Sequence, residues 1–214
     1  MHTIDTARVH LRNWAPDDLD ALAALHADPQ VAHWLGGALN RKQSQALLHA
    51  MIAHTQQHSW GMYAVCLKGT DAPIGAAGLA RIKAGMPIAG IEAAWRLRPE
   101  HWGHGYITEA MHAVLNQAQH VHGITDVFSY TAASNQRSQA VMQRLGFIAE
   151  PEQDFDHPQL ASDHPLCRHV VYRWALHQCV PFSPEGGKRL DVLEHPGGPG
   201  PCPNDPGPIQ IFGE

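Results

Sequence analysis

Two glycines one residue apart, Gly103 and Gly105, lie in the segment His101 to Ala110, which reads HWGHGYITEA. A strand-like run precedes this segment and an amphipathic helical run follows it. Because glycine has no Cβ, the pair allows a turn whose backbone N–H groups point outward. The first turn of the helix adds unsatisfied N–H groups and a partial positive charge. The spacing therefore predicts a receptor for phosphate, and hence a phosphorylated cofactor.

The elements that must position this turn follow strand and helix patterns. Seven strands are predicted: Arg8 to Asn13, Gly61 to Leu67, Ile74 to Ile82, Ile88 to Leu97, Asp126 to Thr131, one that begins at Phe147, and His169 to Leu176. Four helices are predicted: one from Pro16 that Asp28-Pro29 stops, one from about Arg41 to His58, one from Ile107 to Val121, and one that Ser134-Asn135 caps. This order indicates an α/β fold, with one mixed sheet of about seven strands and helices on both faces.

Two further stretches are predicted to lack regular structure. Val31, Trp34 and Leu35 are expected to form only a short turn after the first helix, and Asp154 to Leu166 a polar, proline-broken loop.

A change of composition near residue 178 divides the chain. From Pro181 to Glu214, fifteen of 34 residues are proline or glycine, which is typical of segments that do not fold by themselves. We therefore predict one domain over residues 1–177 and a Pro/Gly-rich tail over 178–214. The apolar end of the tail, Ile209 to Phe212, could dock on a neighbouring subunit or simply be a loose end.

Composition excludes several classes of function. The formal charge is −5 without a basic stripe, so no nucleic-acid partner is expected. No apolar run approaches the roughly 18 residues of a membrane helix, and the first residues lack the pattern of a signal peptide, which predicts a cytoplasmic protein without membrane contact. The four cysteines show no C-x-x-C pairing and are expected to be reduced thiols. Although there are 17 histidines, and His54 and His58 lie four apart, no H-E-x-x-H motif and no Cys/His cluster with zinc-finger spacing is present, so no metal is expected.

Three motifs carry a resemblance to a known family. They are EAAWRLRPEHWGHGY from Glu92 to Tyr106, NQRSQAVMQRLGF from Asn135 to Phe147, and RHVVY from Arg168 to Tyr172. Together with the order of elements, they resemble the GNAT superfamily of acyl-CoA-dependent N-acyltransferases. Within it, they are similar to the Rim-type branch of ribosomal-protein N-terminal acetyltransferases and their small-molecule relatives. The resemblance covers about Thr6 to Leu176 and leaves the tail outside.

The resemblance implies acetyl-CoA as cofactor, lying along the strand Ile88 to Leu97 with its pyrophosphate on the turn Trp102 to Ile107. The backbone N–H groups near Trp95 to Leu97 would face the thioester carbonyl. The superfamily usually has arginine or glutamine where Trp102 stands, and glycine or alanine where Ile107 stands. The implied cofactor-binding residues are Trp95, Arg96, Leu97, Trp102, Gly103, His104, Gly105, Tyr106, Ile107, Thr108, Asn135 and Ser138.

Acyl transfer to an amine needs a base, oxyanion donors and a group that protonates or stabilises the leaving thiolate. Glu92 is the candidate base, because a carboxylate in apolar surroundings tends towards a raised pKa; the alternative is an exposed strand residue. Ser138 is the candidate acid by resemblance, or else a first-turn helix serine. Asn135 either contacts the cofactor or caps the helix, and Tyr130 either approaches the site or belongs to the core.

The leading hypothesis is an acetyl-CoA-dependent N-acetyltransferase that transfers directly within a ternary complex, because neither Cys66 nor Cys167 lies in a motif for a covalent intermediate. The acceptor would be a protein N-terminal amine or a small-molecule amine. A non-catalytic acyl-CoA-binding or regulatory module is the alternative, and a monomer or a homodimer is expected. Three tryptophans, Trp34, Trp60 and Trp95, either line the acceptor pocket or belong to the core.

Overall fold

A computed structural model describes residues 3 to 175, which form one open sheet with helices on its two faces. The sheet has nine strands in the order β1-β2-β3-β4-β5-β6-β9-β7, and β8 pairs with β9. The only parallel pair among the described strands is β5 with β6. The strands are β1 (Thr3–Asp5), β2 (Val9–Arg12), β3 (Met62–Leu67), β4 (Pro73–Arg81), β5 (Ile91–Leu97), β6 (Asp126–Ala132), β7 (Ile148–Ala149), β8 (Phe155–Asp156) and β9 (Arg168–Ala175).

Five α-helices are divided between the two faces: α1 (Leu19–Ala27), α2 (Pro29–Trp34), α3 (Arg41–His58), α4 (Tyr106–His122) and α5 (Gln136–Arg144). The first three bury their apolar residues against one face, where Leu22, Val31 and Leu48 meet Ala76 of β4. The last two cover the opposite face in a second cluster. The predicted mixed sheet with helices on both faces is confirmed.

Local sequence accounts for the helices that position the turn. Asn40 caps α3 with its side chain while Gln43 reaches back to the Asn40 backbone, and this reciprocal pair fixes the start of the helix. Helix α4 is followed by Gly123, which takes a φ of 65° at no steric cost, and its N–H donates to the Ala118 carbonyl. Both helices therefore lie close to their predicted positions.

Two regions differ from the prediction. Asp28-Pro29 does stop α1, but it also starts α2, because the Asp28 side chain accepts hydrogen bonds from the N–H groups of Gln30 and Val31. The expected short turn is therefore a helix. The sheet also gains β1 and β8, which are too short to show periodicity and exist through pairing with β2 and β9.

Strands β5 and β6 separate soon after they meet. Their ladder contains a single residue pair, Glu92 with Phe128, and beyond it the two strands diverge. Antiparallel pairing of β5 with β4 continues along the whole of β5. One edge of β5 therefore stays open, and it leads to the glycine turn.

No helix within residues 3 to 175 has the length and apolar character needed to cross a bilayer. The predicted tail lies outside the described residues, as do Cys179 and Cys202. The two described cysteines, Cys66 and Cys167, are buried and free.

Candidate active site

A cleft of about 1630 Å³ follows the open edge of β5. At one end it is lined by Arg8 and the residues from Trp102 to Thr108, which we call the turn half. Further along β5 it is lined by Lys83, Glu92, Arg96, Tyr130 and His157, which we call the polar half. Asn135 and Ser138 of α5 also line the cleft.

Alternate residues of β5 direct their main-chain groups towards this cleft. The Ser129 hydroxyl donates to the Ala93 carbonyl at 2.9 Å, and Trp102 Nε1 donates to the Leu97 carbonyl at 2.6 Å. Successive residues of a strand direct their backbone groups to opposite edges. Trp95, which lies between Ala93 and Leu97, therefore also presents its N–H and C=O to the open edge of β5. The predicted stretch Trp95 to Leu97 thus brings main-chain groups to the cleft, at Trp95 and Leu97.

The turn itself depends on two left-handed glycines. Gly103 has a φ of 80° and Gly105 a φ of 78°, a conformation that costs other residues free energy. Space is not the constraint, since a Cβ on Gly105 would meet only Arg8 Nη2, at 3.5 Å. Gly105 is the N-cap of α4 and has no side-chain cap. The first N–H groups of α4 are therefore left for a ligand.

The residues after the glycines extend this surface. Tyr106 is half-buried and stacks with the exposed His104, with ring centroids 5.6 Å apart. Ile107 is 7% exposed and packs in the core. Its side chain is therefore directed into the interior, although glycine or alanine is usual at this position in the resembling family. Thr108 is half-buried and lines the cleft.

Arg8 braces the turn from the β1–β2 connection, and sequence analysis missed it. The Glu109 carboxylate accepts hydrogen bonds from Thr6 Oγ1, Arg8 N and Arg8 Nε at 2.6, 2.8 and 2.7 Å. Arg8 Nη1 also donates to the His104 carbonyl at 3.0 Å. Burial alone raises the pKa of Glu109, but these hydrogen bonds outweigh it and lower the pKa to about 2. Only the tertiary contact reveals this link, since Arg8 and Glu109 are far apart in sequence.

Trp102 fastens the other end of the turn. Besides its hydrogen bond to Leu97, the indole packs against both hydrophobic clusters of the sheet. The Arg137 guanidinium of α5 lies over the indole ring, 4.9 Å from its centroid, within the range of a cation–π contact. This contact joins the turn to the helix that carries Ser138.

Glu92 is buried, with 4% of its surface exposed, so it is not the exposed strand residue of the alternative interpretation. Burial raises the pKa of Glu92, while the hydrogen bond from the Tyr130 hydroxyl and the nearby positive charges of Lys83 and Arg96 lower it; the net direction is upward. A buried carboxyl group with a raised pKa, open to a cleft, is suited to proton transfer. Tyr130 therefore approaches the site as well as packing against Phe155.

Arg96 lines the cleft, and its contact with the cofactor stays a prediction. Its backbone is on the edge that pairs with β4, and its side chain, 7% exposed, reaches α1. There Arg96 Nη1 donates to His26 Nε2 at 2.8 Å, and His26 Nδ1 is 3.0 Å from Ser44 Oγ. Burial, followed by the charge of Arg96, lowers the pKa of His26 to about 3. The Arg96 side chain thus belongs to the polar half.

Asn135 and Ser138 form the start of α5. Asn135 Oδ1 accepts from the Ser138 N–H at 3.2 Å, and its Nδ2 donates to Thr131 Oγ1 at 3.1 Å. Asn135 is therefore a helix cap that is also tied to the end of β6. The half-buried Ser138 lines the cleft, which is compatible with its predicted role as acid.

Other residues of the polar half had no signal in the sequence. Lys83 comes from the β4–β5 connection and His157 from the segment after β8. Burial lowers the pKa of Lys83 to about 8, and burial together with His169 and Lys83 lowers the pKa of His157 to about 4. Neither residue lies in a motif. Only the packing of distant segments brings them to the polar half.

The three tryptophans separate into two groups. Trp34 and Trp95 line the cleft, whereas Trp60 is 9% exposed and belongs to the core cluster beneath α4. An acceptor-pocket role for Trp60 is therefore wrong, because the sheet places its ring in the core cluster rather than in the cleft.

One group in the described residues has metal-ligand proximity: atoms of His10, Cys66 and Asp71 lie within 4.8 Å of one another. However, Arg12 Nε donates to Asp71 Oδ1 at 3.0 Å, and burial raises the pKa of the Cys66 thiol to about 11. The Arg12 guanidinium already neutralises the Asp71 carboxylate, and the Cys66 thiol keeps its proton. Ion pairing therefore explains why these side chains lie close together.

Comparison with known proteins agrees with this geometry. The family model described as an acetyltransferase (GNAT) domain matches residues 8–148, well over half of the chain, and the chain belongs to this family. An acetyltransferase from Agrobacterium tumefaciens is 25% identical, with 81% of this chain and 94% of that chain covered and a TM-score of 0.67.

Two similar structures are ribosomal-protein acetyltransferases. The ribosomal-protein-S5-alanine acetyltransferase from Vibrio fischeri is 13% identical, covering 83% of this chain and 98% of that one with a TM-score of 0.65. RimL, a ribosomal L7/L12 alpha-N-protein acetyltransferase solved with coenzyme A, is 15% identical, covering 81% and 98% with a TM-score of 0.65. At these identities the likeness shows the shared fold.

Proposed function

We propose that this protein is an acetyl-CoA-dependent N-acetyltransferase that moves the acetyl group directly to a primary amine within a ternary complex. The observation that carries the proposal is the open edge of β5, which joins the glycine turn at the start of α4 to the buried Glu92. Family membership makes acetyl transfer the expected chemistry.

The turn half fits the diphosphate of coenzyme A. Two left-handed glycines and the start of α4 offer main-chain N–H groups and a positive helix end. The pantetheine arm has amide groups of its own, and the Trp95 backbone would pair with them as a neighbouring strand does. RimL, which shares the fold, was solved with coenzyme A. Bound in this way, acetyl-CoA would have its activated thioester at the level of Trp95.

The polar half would serve the amine. An ammonium ion has no lone pair, so Glu92, acting directly or through water, would take its proton before attack on the thioester carbonyl. The oxyanion that develops would accept hydrogen bonds from main-chain N–H groups near Trp95 to Leu97. The Ser138 hydroxyl would donate a proton to the departing thiolate and would regain one, through water, from the nitrogen as it becomes an amide. Cys66 and Cys167 do not line the cleft, which supports direct transfer over a covalent intermediate.

The test is release of free thiol from acetyl-CoA in the presence of a panel of amines that includes amino acids, polyamines and peptides. We expect thiol release that depends on at least one amine, with acetylated product detected by mass. Tight coenzyme A binding without turnover of any amine would instead favour a non-catalytic acyl-CoA-binding module. A cytoplasmic location, and a monomer or homodimer, form part of the same proposal.

A further inference from the structure

A chain of buried polar side chains connects α3 and α1 to β5. Ser44 of α3 and His26 of α1 are fully buried, and Arg96 of β5 is 7% exposed. His26 Nδ1 is 3.0 Å from Ser44 Oγ, and His26 Nε2 is 2.8 Å from Arg96 Nη1. Buried polar groups cost free energy unless they are hydrogen-bonded. Each bond of this chain therefore satisfies a group that the surrounding apolar cluster could not.

The donors and acceptors of the chain fix the tautomer of His26. A guanidinium can only donate hydrogen bonds, so His26 Nε2 must carry the lone pair that receives Arg96 Nη1. The proton of the neutral ring is then on Nδ1, which donates to Ser44 Oγ. Burial, followed by the charge of Arg96, lowers the pKa of His26 to about 3, so the ring stays neutral at pH 7. His26 is therefore an acceptor that Ser44 holds in one orientation.

Arg96 depends on this acceptor to stay in its buried position. Burial lowers the pKa of the guanidinium to about 10, although the charge of Glu92 acts in the opposite direction. Within residues 3 to 175, His26 is the only hydrogen-bond partner of Arg96. Since Arg96 also lines the cleft, a guanidinium without its partner would turn towards the water there. The bond to His26 thus decides where the positive charge lies.

The position of that charge matters for Glu92. Glu92 and Arg96 lie on the same face of β5, and only the small Ala94 separates them on that face. Burial disfavours the ionised form of Glu92, whereas the hydrogen bond from the Tyr130 hydroxyl and two positive charges favour it. Those charges belong to Lys83 of the β4–β5 connection and to Arg96. Moving the guanidinium into water would remove one of the three groups that keep this carboxylate ionised.

We propose that His26 is a positioning residue, which accepts a hydrogen bond from Arg96 and so holds the guanidinium where its charge keeps Glu92 ionised. The inference rests on the proposed function, in which Glu92 takes the proton of the amine. His26 does not line the cleft, so it acts through Arg96 and touches neither substrate.

The test uses two variants of His26 and the acid limb of kcat/KM between pH 5 and 9. His26→Leu removes the acceptor, whereas in His26→Gln the amide oxygen can accept in place of Nε2. In H26L we expect the limb to move to higher pH by about half a unit or more, because water screens the displaced charge. H26Q should keep the wild-type profile. His49→Leu, at an exposed histidine of α3, is the matched control and should keep it too.

A double variant separates positioning from general damage to the fold. Arg96→Gln removes the charge itself, so its acid limb should shift in the same direction as in H26L and at least as far. Because His26 acts through Arg96, H26L should add no further shift in the R96Q background. A purely structural role of His26 would instead lower the rate without moving the limb, or would add a separate shift in the double variant.

NMR measurements decide the matter if H26L does not fold or no amine is turned over. With 15N-labelled histidine, wild-type His26 should be protonated at Nδ1 and unprotonated at Nε2 from pH 5 to 8. The Glu92 carboxyl carbon, assigned by its loss in Glu92→Gln, should titrate at higher pH in Ser44→Ala, where the Nδ1–H loses its acceptor.

Three results would overturn the inference: a proton on His26 Nε2, an acid limb that does not move in H26L, or equal titration of Glu92 in S44A and wild type. Each of them leaves acetyl transfer intact. The proposed function itself fails on a different result, which is thiol release that no amine of the panel accelerates.

Discussion

The two halves of the cleft achieve recognition in opposite ways. The turn half uses main-chain groups, held by exposed glycines and a helix start that are contiguous in sequence. The polar half uses buried charged side chains from separate segments, with Lys83, Glu92 and His157 brought together by the sheet. Main-chain amides recognise a phosphate in any protein that forms the turn. Side-chain charge, in contrast, can vary between relatives without altering the fold. In the proposed function, the first half would bind the cofactor and the second would select the acceptor.

The largest expected effect tests the chemistry of the polar half. Replacing Glu92 with glutamine removes the candidate base, and we expect kcat to fall about 100-fold or more. In the wild type, activity should rise as pH rises through the raised pKa of Glu92, since the carboxylate form accepts the proton. The variant should lose this limb of the profile. Measurement of kcat/KM from pH 5 to 9 checks both points.

Glu100→Gln is the control for Glu92→Gln, because Glu100 lines the cleft but is exposed to solvent. We expect near-normal rates in E100Q at every pH. A normal rate and profile in E92Q would remove Glu92 from the mechanism and weaken the contrast between the two halves.

The next effect concerns the turn half. Gly105→Val places a β-branched residue at a φ of 78°, a conformation it resists. We expect the turn to reorganise and the Kd for coenzyme A to rise at least tenfold, as measured by calorimetry. Gly123→Val is the matched control, because Gly123 has a φ of 65° at the far end of the same helix. This variant should lose comparable stability yet bind coenzyme A normally; unaltered affinity in G105V would contradict the assignment of the turn.

A smaller effect is expected from the brace behind the turn. Arg8→Ala removes the hydrogen bond from Nη1 to the His104 carbonyl and the one from Nε to Glu109, while the backbone N–H of residue 8 still donates to Glu109. Since the turn residues themselves remain, we expect coenzyme A affinity to fall only about three- to tenfold, in keeping with roughly 1 kcal/mol per hydrogen bond. Arg41→Ala, at an exposed ion pair with Asp20 outside the cleft, should leave the affinity unchanged. An R8A protein with full affinity would show that the brace is dispensable.

The smallest effect concerns stability and pH. The folded-state pKa of His157 is about 4, below its ordinary value of about 6.5. Between these values the unfolded chain binds more protons, so His157 makes the free energy of unfolding fall as pH falls from about 6.5 to 4. His157→Asn keeps an acceptor for the Gln159 N–H and removes this titration. We expect the variant to lose less stability on acidification, by on the order of 1 kcal/mol.

Urea denaturation at pH 7 and pH 4 measures this difference, with exposed His49→Asn as the control. Equal losses in H157N and wild type would mean that the buried imidazole does not resist protonation as the polar half requires.

The sequence was most informative where structure is local. The start of α3 follows from the Asn40 capping box, and the left-handed positions of the turn follow from Gly103 and Gly105, because both features depend on neighbouring residues. The Asp28-Pro29 pair shows the limit of such reasoning, since the same two residues end one helix and cap the next. What the sequence left open was the set of contacts between distant segments.

Arg96 illustrates why the polar half could be predicted only in part. Its place in a motif indicated a cofactor contact, but the register of β5 against β4 decides which edge and which face each residue takes. Partners such as His26 and Lys83 come from distant segments, so no spacing in the sequence joins them to Arg96. Burial likewise decided between the two interpretations of Glu92.

The most direct test of the account is calorimetric titration of coenzyme A and of pantetheine, its fragment without the diphosphate, into the purified protein. We predict one site for coenzyme A and at least tenfold weaker binding of pantetheine, because the fragment cannot use the amides between Trp102 and Thr108. Absence of heat with coenzyme A, or equal affinity for the two compounds, would contradict the claim that this turn recognises the diphosphate.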